Sequence, residues 1–176
     1  MLVLNTRITK LNAKEYNNAV ELYADNIYRF ALKHIKNGAL AQDVVQETFM
    51  KVWLKHEDIV QEKIKSYLFT TAYHTIIDSV KKEKRSVDFD LVDKSVMSDA
   101  FADAESNNNE LRLLLDQALN QLPEIQKSAV LLRDYEGYSY EEIAEITSLT
   151  ESQVKVYIFR ARQSLKTHLK EHNLVV

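Results

Sequence analysis

Four bases fall within five residues at Lys81, Lys82, Lys84 and Arg85, at the end of a helical stretch whose polar face also carries Thr70 and His74. Cations this dense attract phosphates and neutralise a nucleic-acid backbone. A basic helix end also complements the helix dipole, but four bases exceed what the dipole requires. A second group lies near the C-terminus, where a helical wheel places Ser152, Val156, Phe159, Arg160 and Gln163 on one face, with Lys155 and Arg162 on its flank. Arg and Gln can read base edges, and Val and Phe can meet a thymine methyl. From Val154 onward the bases Lys155, Arg160, Arg162, Lys166 and Lys170 face only Glu171. A third group, Asp43, Gln46 and Glu47, makes a polar patch beside an apolar stripe, which suits either a solvated acidic face or a protein contact.

Covalent chemistry has little to work with. There is no glycine-rich phosphate loop, nucleophile elbow or metal-ligand cluster, so the chain reads as a protein that is not an enzyme and needs no cofactor or small-molecule substrate. His168 and His172 stand at i, i+4 without a third ligand nearby and read as solvent-facing. His34 and His56 have no partner recognisable in the sequence. Trp53 reads as a core anchor. The absence of cysteine excludes disulfides and thiolate metal sites.

These residues need rigid supports, and the composition says which kind. With 45% hydrophobic residues the 176-residue chain can form real cores, and only two glycines and one proline favour long helices over turn-rich sheets. The expected class is all-α. No stretch approaches the roughly 18 apolar residues of a membrane span, and the first ten residues lack a continuous apolar run, so direct membrane insertion is not expected and a cytoplasmic location follows. The net charge of −3 would not by itself point to nucleic acid; the distribution matters more.

Asn12-x-x-Glu15 has the form of a helix start, followed by Tyr16, Ala19, Val20, Tyr23, Ile27, Phe30, Ala31 and Ile35 at helical spacing and an end near Gly38. A second helix is expected from about Ala41, with Val45, Phe49, Val52 and Trp53 on one face and Asp43, Gln46, Glu47 and Met50 toward another. A third should run from about Lys63 to Arg85 through Leu68, Phe69, Ala72, Tyr73, Ile76 and Val80. Between Ser86 and Glu110 stand seven acids and the single base Lys94, without helical period, which reads as a flexible linker. The pattern resumes at Leu111. Pro123 is placed to begin a helix that Gly137 ends. The expected organisation is therefore a helical domain at 1–85, an acidic linker at 86–110 and a second helical domain at 111–176.

Two capping boxes, Ser139-x-x-Glu142 and Thr150-x-x-Gln153, start two helices within a dozen residues. Val154, Ile158, Ala161 and Leu165 then form a stripe that must pack inward, with Ile143, Ala144 and Leu149 to receive it. This is the pattern of a helix-turn-helix, whose second helix can lie in a major groove. Periodicity alone leaves a packed hairpin with a solvated cationic face equally open.

The stretch "LPEIQKSAVLLRDYEGYSYEEIAEITSLTESQVKVYIFRARQSLK" closely resembles region 4 of bacterial sigma factors of the sigma-70 family, extracytoplasmic-function (ECF) subfamily. "YEEIAEI" followed by "VK…RAR…L" is its most specific part. Upstream, "AQDVVQETFMKVW" is similar to region 2.2, and "IKSYLFTTAYHTIIDSVKKEKR" resembles regions 2.3 and 2.4. The two motif sets stand in the family's order on either side of the acidic segment. The resemblance implies a sigma factor that binds core RNA polymerase and directs promoter-specific initiation. It assigns Asp43, Gln46 and Glu47 to the polymerase β′ clamp, with the β subunit as a further partner. It assigns minus-10 DNA to Thr70, His74, Lys81, Lys82, Lys84 and Arg85, and minus-35 DNA to Ser152, Gln153, Lys155, Val156, Phe159, Arg160, Arg162 and Gln163. Many relatives are held inactive by an anti-sigma factor, so such a partner is a further expectation.

Two departures qualify the resemblance. Many relatives carry Arg-Asn where this chain has Tyr73-His74, so base capture by Asn does not transfer, and Tyr73 is expected in the core rather than stacked on a base. The "VK-x-R" pattern becomes Val154-Lys155-Val156-Tyr157, without one phosphate-binding Arg. The acidic segment resembles the connector that replaces region 3; it can mimic nucleic-acid charge or act as a tether. Two other readings remain: a conventional helix-turn-helix regulator, which leaves "DVVQETF" and "KKEKR" unexplained, and a helical adaptor that uses Val156 and Phe159 as a protein interface.

Overall fold

A computed structural model describes residues 10–87 and 108–171. These residues form seven α-helices: α1 (Ala13–Ile35), α2 (Gly38–Leu54), α3 (Ile64–Val87), α4 (Asn108–Gln121), α5 (Glu124–Asp134), α6 (Tyr140–Thr147) and α7 (Glu151–Glu171). Two short 3-10 turns separate α2 from α3. Extended pairing among the described residues is limited to an isolated antiparallel bridge between Lys10 and Val60. The all-α expectation holds. The acidic segment lies largely outside the described residues, as does His172.

Helix limits follow local chemistry. Asn12 Oδ1 accepts from the Glu15 N–H at 3.0 Å and Glu15 returns the contact to the Asn12 N–H at 3.1 Å, closing a capping box on α1. The helix ends differently from expectation: Lys36, at φ 58, supplies the left-handed cap, and Gly38 opens α2 instead of closing α1. Asn37 explains the early start, because its side chain accepts the Leu40 N–H at 3.1 Å. Pro123 is the N-cap of α5 rather than its first helical residue. α5 is over by Asp134, and Gly137 takes φ 78 in the turn beyond. That conformation favours glycine.

The apolar stripes of α1, α2 and α3 close on Ile27, Phe30, Ala31, Val44, Phe49, Val52, Phe69 and Ile76, all buried. α5, α6 and α7 close on Leu131, Leu132, Ile143, Ile146, Val154, Ile158 and Ala161. These two assemblies share one continuous core. Tyr138, in the α5–α6 turn, reaches α3: its ring meets Phe69 edge-on at 5.3 Å, Lys65 Nζ lies 4.6 Å from the ring centre, and its hydroxyl donates to the Lys65 carbonyl at 3.4 Å. Fully burying a side chain the size of Phe69 contributes about 1.5–3 kcal/mol. Burial also pushes the Tyr138 hydroxyl well above its ordinary pKa.

Candidate nucleic-acid interface

The C-terminal pair is built as a rigid platform. Ser139 Oγ accepts the Glu142 N–H at 3.2 Å and Glu142 Oε2 accepts the Ser139 N–H at 2.7 Å, so α6 starts with both sides of its box closed. Ser148, at φ 57, turns the chain, and its N–H bonds to the Ala144 carbonyl. α7 then begins with Thr150 Oγ1 accepting the Gln153 N–H at 3.2 Å while Gln153 Oε1 accepts the Thr150 N–H at 2.9 Å. Two fixed starts around a three-residue turn, Ser148 to Thr150, define the crossing of α6 and α7.

The inward stripe is as the periodicity requires: Val154, Ile158 and Ala161 are buried, and Leu165 packs against the core. On the opposite side Ser152, Val156, Phe159, Arg160 and Gln163 are exposed. Phe159 is 63% exposed and Val156 45%, so neither serves the fold. Apolar side chains this open stand beside an arginine and a glutamine, residue types that can meet a thymine methyl and a base edge.

The remaining residues expected there already have partners. Gln153 belongs to the cap of α7. Lys155 pairs with Glu151 at 2.6 Å and lies 5.7 Å from the centre of the Tyr140 ring. Arg162 makes two hydrogen bonds to Asp134, which raise its pKa further and tie α7 to α5. Tyr140 also receives Arg133 at 4.7 Å, and Arg133 Nη1 donates to the Tyr138 carbonyl at 2.7 Å. These cations orient α7 as well as charge it. Periodicity marks them as flanking bases but carries no sign of partners on other helices.

On α3, His74, Lys81 and Lys82 are exposed along one side. Thr70 is half-buried and donates its hydroxyl proton to the Ser66 carbonyl at 2.8 Å. Lys84 and Arg85 belong to α3, but their side chains lie outside the described residues. Tyr73 is in the core, 7% exposed, with its hydroxyl pKa raised by burial. Its ring meets His74 at 5.3 Å.

On α2, Asp43, Gln46 and Glu47 are exposed together. Glu47 pairs with Lys51 at 2.6 Å, and Lys51 reaches Thr75 of α3 at 3.1 Å, so the patch is braced from behind. Met50 at 56% and Leu54 at 74% exposure continue the surface as apolar ground. Trp53 is not the core anchor expected; it is 39% exposed, stacks on His56 at 4.4 Å and touches Tyr16 at 4.8 Å. His56 therefore has partners, as does His34, which meets Glu124. His168 is half-buried rather than solvent-facing. No group of three metal-ligating side chains occurs among the described residues, and no helix there is long and apolar enough to cross a membrane.

This geometry can be set beside known proteins. Residues 19–86 match the Sigma-70 region 2 family and residues 112–165 match Sigma-70 region 4. The chain is 32% identical over 149 residues to the ECF RNA polymerase sigma factor SigM of Bacillus subtilis, covering 83% of this chain and 90% of that protein. It is 30% identical over 153 residues to RNA polymerase sigma factor SigV of the same organism, covering 86% and 89%. Among solved structures, the sigma factor RpoE from Bartonella quintana, in complex with the anti-sigma factor NepR, superposes with a TM-score of 0.74 at 26% identity, covering 90% of this chain and 98% of that one. The two matched regions together span α1–α3 and α4–α7, and with the identity to SigM they show that the chain belongs to the sigma-70 family of RNA polymerase sigma factors, in its ECF group.

Proposed function

We propose that this sigma factor divides its work among three faces: α7 reads the minus-35 element, α3 holds the minus-10 element, and α2 docks on core polymerase. Its overall activity is that of its family: it binds core RNA polymerase and directs promoter-specific initiation. The observation that carries the residue assignment is the outer face of α7, where Ser152, Val156, Phe159, Arg160 and Gln163 are exposed on a helix fixed at its N-terminus by the Thr150–Gln153 cap. An exposed Phe and Val on so rigid a helix are costly in water and useful against bases.

Lys155, Arg162 and Gln153 are assigned to the rim of this face, where they meet phosphate or hold the helix in register. Thr70, His74, Lys81 and Lys82, with Lys84 and Arg85 beyond them, are assigned to the minus-10 strand. Neutralising cations and a neighbouring imidazole suit an opened strand with unstacked bases. Asp43, Gln46 and Glu47 are assigned to the β′ clamp, with the exposed Met50 and Leu54 as the apolar part of the same contact. The expected limits of 1–85, 86–110 and 111–176 are adjusted to the helix ends, because α3 runs to Val87 and α4 starts at Asn108: the domains proposed are 1–87 and 108–176, joined by a connector at 88–107. The chain supplies no catalytic chemistry of its own, and it acts in the cytoplasm where polymerase is. An anti-sigma partner is proposed by analogy with the RpoE–NepR complex.

The test is reconstituted transcription with core polymerase on a promoter library, core alone being the control. Initiation at specific sites only when the protein is added supports the reading. Duplex binding without initiation overturns it in favour of a conventional regulator, and loss of both favours an adaptor.

A further inference from the structure

One group of polar contacts between the N-terminal and C-terminal helices centres on a buried histidine. His34 of α1 has a fully buried side chain, and its Nδ1–H donates to Glu124 Oε2 of α5 at 2.8 Å. Its Nε2 faces Ser128 Oγ at 3.5 Å, and Phe30 packs edge-on against the ring at 5.0 Å. Lys127 of α5 is 2% exposed and donates to Asn120 of α4 at 3.2 Å. Lys33 of α1 pairs with Asp116 of α4. Farther along the seam, Asn26 donates to Glu136 at 3.1 Å.

Two charged groups of α5 act on His34 itself: Glu124, which accepts its hydrogen bond and favours the proton, and Lys127, which opposes it. Lys127 in turn feels Lys33 and Lys36 at the end of α1 and Asp116 of α4, and the Tyr73 hydroxyl of α3 feels Glu124. The seam as a whole thus holds three cations and two carboxylates. A proton on His34 would place a positive charge on a fully buried side chain, near the buried Lys127. Burying a charge that is incompletely compensated costs far more than exposing it.

We propose that the seam between α1 and α5 is a proton-sensitive latch, in which protonation of His34 favours separation of α1–α3 from α4–α7 while each set of helices stays folded. The device goes beyond promoter recognition and does not depend on the assignment of any DNA or polymerase contact. In the closed form burial lowers the His34 pKa and the charge of Lys127 adds to this, against the opposing effect of Glu124. Once opened, His34 returns toward its ordinary value of about 6.5. The open form then binds more protons, so closure is favoured above that value and lost as pH falls through it. Lys127 acts in the same sense. Burial brings its pKa down to about 8 in the closed form, so its penalty on closure is present below that pH and fades as pH rises toward 10.5.

Because the chain has no cysteine, Asn17→Cys on α1 and Ser164→Cys on α7 allow a donor and an acceptor dye to be placed at exposed positions of the full-length protein. Energy transfer is followed from about pH 8 to about pH 5, across the ordinary imidazole range, with far-UV circular dichroism in parallel. The expected result is high transfer at the alkaline end and constant helicity throughout, with the closed-to-open ratio falling by up to about tenfold per pH unit between the ordinary His34 value and its lowered value in the closed form, for one linked proton. His34→Gln, whose amide can still donate to Glu124, should keep transfer high across the range. Constant transfer in the His34 protein overturns the latch, as does an unchanged fall in His34→Gln. Should that variant not fold, NMR titration of His34 in the unlabelled protein decides: an imidazole titrating below the ordinary value supports the latch, and one at or above it does not. Failure to initiate transcription would leave all these readings unaffected.

Discussion

Arg162 forks onto Asp134, with Nε at 3.1 Å from one carboxylate oxygen and Nη2 at 2.5 Å from the other, joining the middle of α7 to the last residue of α5. Both side chains are partly exposed, so the pair contributes about 0.2–1 kcal/mol. Asp134→Ala should therefore lower stability by less than about 1 kcal/mol. If Arg162 acts through Asp134, the single variants and the double variant should weaken promoter binding alike. A greater loss in Arg162→Ala than in Asp134→Ala, measured by fluorescence anisotropy, would assign Arg162 to a phosphate instead.

Arg160 has no ion-pair partner among the described residues and lies on the exposed face of α7. Arg160→Ala should cost about 1–3 kcal/mol of minus-35 discrimination, concentrated at one base position, with core binding intact. Lys166→Ala should weaken all sequences nearly equally and reduce the salt slope by about one. Binding to a panel of single-base operator variants at several salt concentrations separates the two patterns.

The Gln46 and Glu47 pair has the opposite expected effect. Gln46→Ala with Glu47→Ala should reduce affinity for core polymerase, read by co-elution or anisotropy, and leave the isolated protein's minus-35 binding unchanged. Equal loss of polymerase binding in this variant and in Arg160→Ala would show that the division of roles is wrong.

The cap of α6 has a measurable pH signature. The Ser139 N–H, and then its hydroxyl, hold Glu142 below the usual carboxylate range. Because the folded pKa is depressed, the stabilisation is present above the ordinary value of 4.5 and is lost as pH falls through the lower folded value. Ser139→Ala should cost about 1 kcal/mol at neutral pH. The stability difference between the natural protein and Glu142→Gln should shrink on acidification, as followed by thermal unfolding.

Features encoded over a few residues were legible in the sequence. The capping boxes at Asn12, Ser139 and Thr150, the inward stripe of α7 and the core position of Tyr73 all follow from local spacing. Small differences arose where two signals compete, as at Asn37 and Gly38, where the asparagine cap prevails over the helix-ending glycine. The seam was not legible. His34 meets Glu124 across 90 residues of sequence, and Lys33 meets Asp116 across 83, separations at which no periodicity carries information. For the same reason Arg162 is legible only as a base on the flank of α7, while its partner Asp134 lies 28 residues away. Trp53 misled for another reason: its size suggests the core, but His56 offers a flat ring at the surface on which it stacks.

The seating of Tyr138 on Phe69 also sets an order of events during synthesis. α1, α2 and α3 are complete at Val87 and can close most of their own core, whereas the surface around Phe69 waits for a residue that follows a further stretch of chain. At about 5–20 residues per second, that interval lasts roughly 3–10 s. Throughout that interval Phe69 lacks the ring that meets it in the finished protein, so α3 carries an aromatic surface whose cover has yet to be made.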